Sequence, residues 1–491
     1  MDTALYFLVA LVGLLLRVLI GFSPYSGEHD SPRFGDFEAQ RHWMEITVNL
    51  PTKDWYAGSQ TNDLTYWGLD YPPLTAYHEL ILGFFSRIFE PASVALFDSR
   101  GYETESHRAF MRFSVIVSDF LTYFAGAYLV SRLHSPKARF GTFLLLVFNP
   151  VAVWVDHAHF QYNTVAIGLL LIGVWATLSG KYLVGAMAFT ASFLFKQTLM
   201  YFAPAFLGFM LGEALRLPTW KETGVRVSLL GLAVIGTACI TFFPLWWTCD
   251  YAGCVFERTG QVISRVFPFG RGLLEDYVAN VWTLLTPIFR LRDITEWKQR
   301  VCGIASLVFT VFGFSEVFII LVNRPNRKLF PLALAATSMS FYLFSWMVHE
   351  KAILLPVCAL LASGPALLAT NKSDLIFRMI EASILSMWRL MKIEQNFLAA
   401  YAVLGIAWIA YRDIAGYKPG PVSTQSWIMV WMNVCSFGMI LMDAFVSPPP
   451  QLPFLWILGN CATCCATFLI GWRQLVDIIK QDDVGSSMKL D

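Results

Sequence analysis

Residues 301–328 read VCGIASLVFTVFGFSEVFIILVNRPNRK, and the stretch decides the fold. From 301 to 322 it carries one charged side chain, Glu316. That run is longer than the roughly 20 apolar residues needed to cross a bilayer's hydrocarbon core. It ends in a turn dense with Arg324, Arg327 and Lys328. Short connections on the cytosolic side of membrane proteins collect Lys and Arg, so this reads as a spanning helix leaving the membrane at its cytosolic face.

Working outward, the same pattern recurs. Strong apolar runs fall at 4–22, 113–132, 226–247, 329–347, 351–370, 426–446 and 452–472, with shorter ones at 140–155, 163–179, 182–196, 200–216, 376–391 and 397–411. With 301–322 they make an all-α polytopic membrane protein of about fourteen transmembrane helices. Composition agrees: 56% of the 491 residues are hydrophobic, 14% are charged and mean hydropathy is +0.54. A soluble fold could not cover that apolar surface with so little charge. The net charge of +1 leaves no basic stripe for a nucleic acid, so no nucleic-acid partner is expected. Arg17 interrupts the first run and no basic segment precedes it, so it is expected to stay in the chain as a span.

Charge then orients the helices. Residues 276–290 (DYVANVWTLLTPIFR) are nearly long enough to cross, but crossing would split the basic turns between two sides. Treated as interfacial or re-entrant, the segment leaves seventeen basic residues in short connections on one side and four opposite, Lys196, Lys351, Arg389 and Lys392. The richer side is therefore cytosolic and holds both termini, including the tail 473–491. Two long segments, 23–112 and 248–300, fall on the other side of one membrane domain spanning 1–491. Loops of that length are usually functional.

The polar residues there are few. In FGDFEAQRHWMEITVN (34–49), Glu38, Arg41, His42 and Glu45 share one helical face, opposite Phe37, Met44 and Val48. The spacing predicts an amphipathic helix lying flat at the membrane surface, with Asp36 either capping it or aimed outward as a carboxylate. In TYWGLDYPPLTAYH (65–78), Pro72 and Pro73 stiffen a turn that holds Asp70 and Tyr71 among aromatics. Such a setting suits a sugar ring or an interfacial aromatic belt. DHAHFQYN (156–163) supplies His157, His159, Gln161 and Asn163. Residues two apart on a helix diverge, which favours gating or hydrogen bonding to substrate over a shared metal. Cations that could meet a phosphate are Lys196, Arg265, Arg271, His349 and Lys351. Asp119 and Glu316, inside spans, are expected to pair across helices. Cys249 and Cys254 are placed to form a disulfide, whereas Cys461, Cys464 and Cys465 read as small packing residues. The sequon at Asn371 lies on the cytosolic side of this topology and is expected to stay unglycosylated.

Taken in order, PYSG (24–27), GDFEAQRHWMEIT (35–47), YWGLDYPPLTAYH (66–78), SRGYET (99–104), HFQYN, FKQ, RVFPFGRGLLEDYVANVW and VHEK resemble the dolichyl-phosphate-glucose-dependent glucosyltransferases of asparagine-linked glycosylation. The similarity runs to about residue 360, and WGLDYPPLTAYH resembles the branch that adds the first glucose rather than the second. The resemblance implies a GT-C fold in the endoplasmic-reticulum membrane with a lumenal active site. It also implies a dolichyl-phosphate-glucose donor and a dolichyl-diphosphate-linked oligosaccharide acceptor. Asp36 would be the general base, with Glu38, Arg41, Asp70 and Tyr71 supporting it or binding acceptor. His349, Lys351, Arg265, Arg271 and Lys196 would hold the donor phosphate, and no metal or other cofactor is expected. A mannosyltransferase of the same fold and a non-enzymatic lipid or solute transporter are the rival readings; no internal repeat of the transporter kind is visible.

Overall fold

A computed structural model describes residues 3–31, 34–267, 277–289, 291, 296–369, 372–414, 416 and 423–481. Among them the regular structure is helical; the one β feature is an isolated bridge between Ser59 and Asn62. A backbone in hydrocarbon must satisfy its own polar groups, which makes helices the natural form for these apolar runs. Among the described residues, eight helices are long and apolar enough to cross a membrane: Glu105–Ser131, Ala138–Phe160, Gln197–Leu215, Trp220–Trp246, Gln299–Asn323, Phe397–Ile414, Thr424–Phe445 and Leu455–Gln481. Four shorter apolar helices join them, Ala4–Ile20, Asn163–Leu178, Tyr182–Phe195 and Phe330–Phe344. This is a multi-pass membrane architecture.

Helices at the periphery and in the interior differ. Trp220–Trp246 turns Val225, Leu229, Leu232, Ile235, Ile240 and Phe243 outward, as lipid-facing residues should be. Phe330–Phe344 and Leu354–Ala362 are buried almost completely inside the bundle. The two other expected spans, 351–370 and 376–391, are broken pieces. Gly364–Ala369 follows Leu354–Ala362 after a break at Ser363, and Trp388–Ile393 follows Asp374–Ser386. Non-ideal backbone is tolerated where protein surrounds it, and Ser363 Oγ, at the break, donates back to the Leu360 carbonyl of the preceding helix at 2.7 Å. The final helix runs past 472 to Gln481, into the stretch expected to be tail.

Residues 36–104 form a cap over one end of the bundle. The helix expected to lie flat is present as Asp36–Asn49, but Phe37 through Thr47 are all buried. Its polar face is covered because the charges neutralise one another. Arg41 Nη2 donates to Glu38 Oε1 at 2.6 Å and to Glu45 Oε2 at 2.9 Å, and Arg41 Nη1 donates to Ser99 Oγ at 2.6 Å. Local periodicity shows which residues share a face, not what covers it. The second long segment contributes Ala252–Val266, whose Val262 and Val266 are buried beneath the cap. The disulfide Cys249–Cys254 clips the corner leading into that helix. Residues 281–289 form a nine-residue helix, about 14 Å long and too short to cross.

Candidate active site

Four chain segments meet beneath the cap. The first is the start of the Asp36–Asn49 helix. Gly35 precedes it with extended backbone, and a Cβ there would lie 2.5 Å from Ser26 atoms, so only glycine lets the two strands of chain approach. Asp36 is the first helical residue, not the cap; its amide donates to Ser26 Oγ at 3.2 Å. The second is the wide π-helical turn Trp154–Phe160. Such turns sit frequently at functional sites. The third is Lys196, which ends the Tyr182–Phe195 helix, and the fourth is the Glu350–Ile353 turn with His349 before it.

The second and fourth segments converge on one oxygen of Asp36. Asp36 Oδ2 accepts from Gln161 Nε2 at 2.6 Å, lies 2.7 Å from His159 Nε2 and is salt-bridged by Lys351 Nζ. Lys351 Nζ is itself 2.9 Å from His159 Nε2. Asp36 Oδ1 receives no hydrogen bond from the described residues, and Asp36 lines a cavity of about 720 Å³. Burial pushes the Asp36 carboxyl up, but the Lys351 charge and the His159 contact outweigh it and hold the group well below the ordinary carboxylate range. The result is an ionised carboxylate with one oxygen restrained and one open.

Other expected residues divide between the cavity and its supports. Asp70, Tyr71, Gln161, Lys196, Arg265, His349 and Lys351 line the cavity with Asp36. Lys196 Nζ donates to Gln161 Oε1 at 3.1 Å and to Asn163, and sits 4.7 Å over the Tyr71 ring. Gln161 therefore links the two lysines through Asp36. Burial and the Asp36 and Asp70 charges push the Tyr71 phenol up, so it stays a neutral donor. Arg265 donates to the Gly68 carbonyl at 2.7 Å and the Leu69 carbonyl at 3.2 Å, bracing the turn that carries Asp70. Arg271 lies outside the described residues.

Glu38 and Arg41 do not line the cavity. They stand behind it, where Tyr66 OH donates to Glu38 Oε1 at 2.7 Å and fixes one cavity wall. Burial alone would raise Glu45; the His42 contact and the Arg41 charge reverse that and bring it to about 2. His157 turns away from His159 and lies 3.0 Å from Asp119, which is salt-bridged by Arg17. The divergence of an H-x-H pair on a helix is thereby visible, and His157 belongs to a sealed cluster. Glu316 pairs across helices with Lys480 and, at 3.9 Å, with Arg473. Among the described residues no three His, Cys, Asp or Glu side chains gather as metal ligands.

Sequence reasoning missed Ser26, Tyr66 and Glu394. Glu394 meets His159 Nδ1 from a connection far along the chain. Its signal was available: a charged side chain beside an apolar run. Strain also marks the site. Phe34, Trp67, Phe160 and Met347 have φ of 49°, 45°, 89° and 53°, each within three positions of a cavity residue. Such conformations cost about 1–3 kcal/mol apiece and persist where surroundings over-determine them.

Among the described residues, a multi-pass bundle with a polar, cation-lined cavity around an open carboxylate defines an integral membrane protein with a buried polar site at the ends of its helices. The chain belongs to the ALG6, ALG8 glycosyltransferase family, whose profile matches residues 13–475. It is 34% identical to the dolichyl pyrophosphate Man9GlcNAc2 alpha-1,3-glucosyltransferase of Saccharomyces cerevisiae over 95% of this chain and 90% of the yeast protein. The Rattus norvegicus protein of the same name is 33% identical over 94% of each chain. A probable enzyme of that name from Arabidopsis thaliana is 34% identical over 96% of this chain and 88% of its own.

Proposed function

We propose that this protein transfers glucose from dolichyl-phosphate-glucose to Man9GlcNAc2 on dolichyl diphosphate, forming the first α-1,3 glucosidic bond. The relatives' names support the acceptor, and one observation carries the chemistry: Asp36 presents Oδ1 to the cavity while Lys351, His159 and Gln161 hold Oδ2.

The acceptor mannose hydroxyl attacks glucose C1 on the face opposite the phosphate. A β-linked donor thus gives an α product by inversion. Asp36 takes the hydroxyl proton as the new bond forms. Dolichyl phosphate departs with its charge facing Lys351, with Lys196, His349 and Arg265 also lining the cavity. Lys351 is shared between base and phosphate, so donor binding draws it partly off Asp36. With these cations present the reaction is proposed to be metal-independent. The proposal extends to a GT-C arrangement of about fourteen transmembrane helices in the endoplasmic reticulum, with a lumenal cavity and cytosolic termini. The charge bias of the connections supports that orientation.

The test incubates purified protein with dolichyl-phosphate-glucose and a Man9GlcNAc2 lipid-linked acceptor, with and without chelator. An α-linked monoglucosylated product, formed equally with chelator, is expected. No product on this acceptor, but turnover on one already bearing a glucose, would move the chain to the second-glucose reaction. Loss under chelator would overturn metal independence. No product on either, with transbilayer movement of lipid in proteoliposomes, would favour a transporter.

A further inference from the structure

The base cluster contains a second carboxylate that the mechanism above leaves unused. Glu394 lies between the Trp388–Ile393 and Phe397–Ile409 helices and is 7% exposed. One of its oxygens meets His159 Nδ1, and the other accepts from Asn396 Nδ2 at 2.9 Å. Asn396 Oδ1 in turn accepts from Trp154 Nε1 at 3.1 Å, and the Trp154 ring stacks on His159 at 5.8 Å. Gln395, between Glu394 and Asn396, has φ of 55°, so the pair is held on a strained turn rather than a passive loop.

We propose that Glu394 is a positioning residue for the catalytic base: it locks the ring of His159 so that Nε2 is the atom facing Asp36. The inference rests on Asp36 being that base. Ionised carboxylates only accept, and His159 lies between two of them, so Nδ1 carries a hydrogen toward Glu394 and Nε2 carries one toward Asp36. Rotating the ring by half a turn would exchange Nε2 for a carbon opposite Asp36. The Glu394 contact and the Trp154 stack oppose that rotation. The restraint matters because Lys351 Nζ, 2.9 Å from the same Nε2, is the partner drawn away by a phosphate. His159 and Gln161 then hold Asp36 Oδ2 in place, and Oδ1 keeps its aim at the acceptor.

The experiment is a double-mutant cycle in the full-length protein in nanodiscs. Glu394→Ala should lower kcat roughly tenfold or more, the scale of losing a partner that orients a functional His, and change donor KM by less than about twofold. Glu394→Gln, which keeps an acceptor for Nδ1–H, should recover most of that loss. In a His159→Ala background, Glu394→Ala should cost nothing further. An equal loss in that background, a change confined to KM, or Gln no better than Ala would overturn the proposal. If wild-type protein makes no glucosylated product, the functional reading fails, and His-selective 15N NMR decides the positioning role separately. The His159 resonances, assigned by their loss in His159→Ala, should shift in Glu394→Ala; unchanged resonances would overturn it.

Discussion

Two clusters in this protein each join an aspartate, a histidine and a cation. Asp119, His157 and Arg17 form one; Asp36, His159 and Lys351 form the other. One π-helical turn supplies both histidines. What separates the clusters is access. Asp119 and Arg17 are fully buried, and Arg17 donates at 3.0 Å to the Gly13 carbonyl of its own helix and at 3.0 Å to the Val147 carbonyl, tying the first helix to its neighbours through Val147 and Asp119. Asp36 and Lys351 side chains remain 23% and 18% exposed and share the cavity wall. An Asp–His–cation set therefore says nothing of chemistry by itself. A carboxylate oxygen left open beside a space large enough for substrate does.

The comparison can be broken by mutation. Asp36→Asn keeps the shape but not the charge, and should lower turnover by about 10²–10⁴, the range for general acid–base groups, as read by product formation. Asp119→Asn should act on stability, since removing one partner of a buried ion pair costs about 3–5 kcal/mol; a lowered Tm in detergent would record it. Lys351→Met sharpens the contrast between cations. It removes a charged hydrogen bond to phosphate and base, so kcat/KM should fall on the order of 10- to 100-fold, with part of the loss in donor KM. Arg17→Met should leave donor KM unchanged.

The smallest effect concerns pH. Because Asp36 is held well below its usual range, its charge is present above the unfolded carboxylate value near 3.9 and is lost only as pH falls through the lower folded value. The kcat/KM profile, which reports the free enzyme before donor draws on Lys351, should thus stay flat from neutrality down to about pH 5. A decline centred near pH 6 would show that the open cluster does not hold Asp36 ionised.

Much of this was legible in the chain. Apolar runs located the helices, and the divergence of His157 and His159 follows from helical spacing alone. The rest depended on partners remote in sequence. The face carrying Glu38, Arg41 and Glu45 looked like a surface face because nothing local shows that Ser99, Tyr66 and the 91–104 segment cover it. The break near Ser363 escaped notice because apolar composition reports burial, not continuity, whereas 376–391, which breaks near Met387, already read as a shorter or more interrupted run. Glu394 was missed because its meaning comes from His159, which local pattern cannot place beside it. Asp36 emerged through resemblance; spacing by itself left a capping role open.

The most direct test measures glucose transfer per folded molecule for Asp36→Asn and Asp119→Asn side by side, at equal concentrations of monodisperse protein. The account predicts near-wild-type transfer by the folded fraction of Asp119→Asn and a loss of at least about 100-fold for Asp36→Asn. Comparable transfer by the two variants, or a greater loss at Asp119, would contradict it.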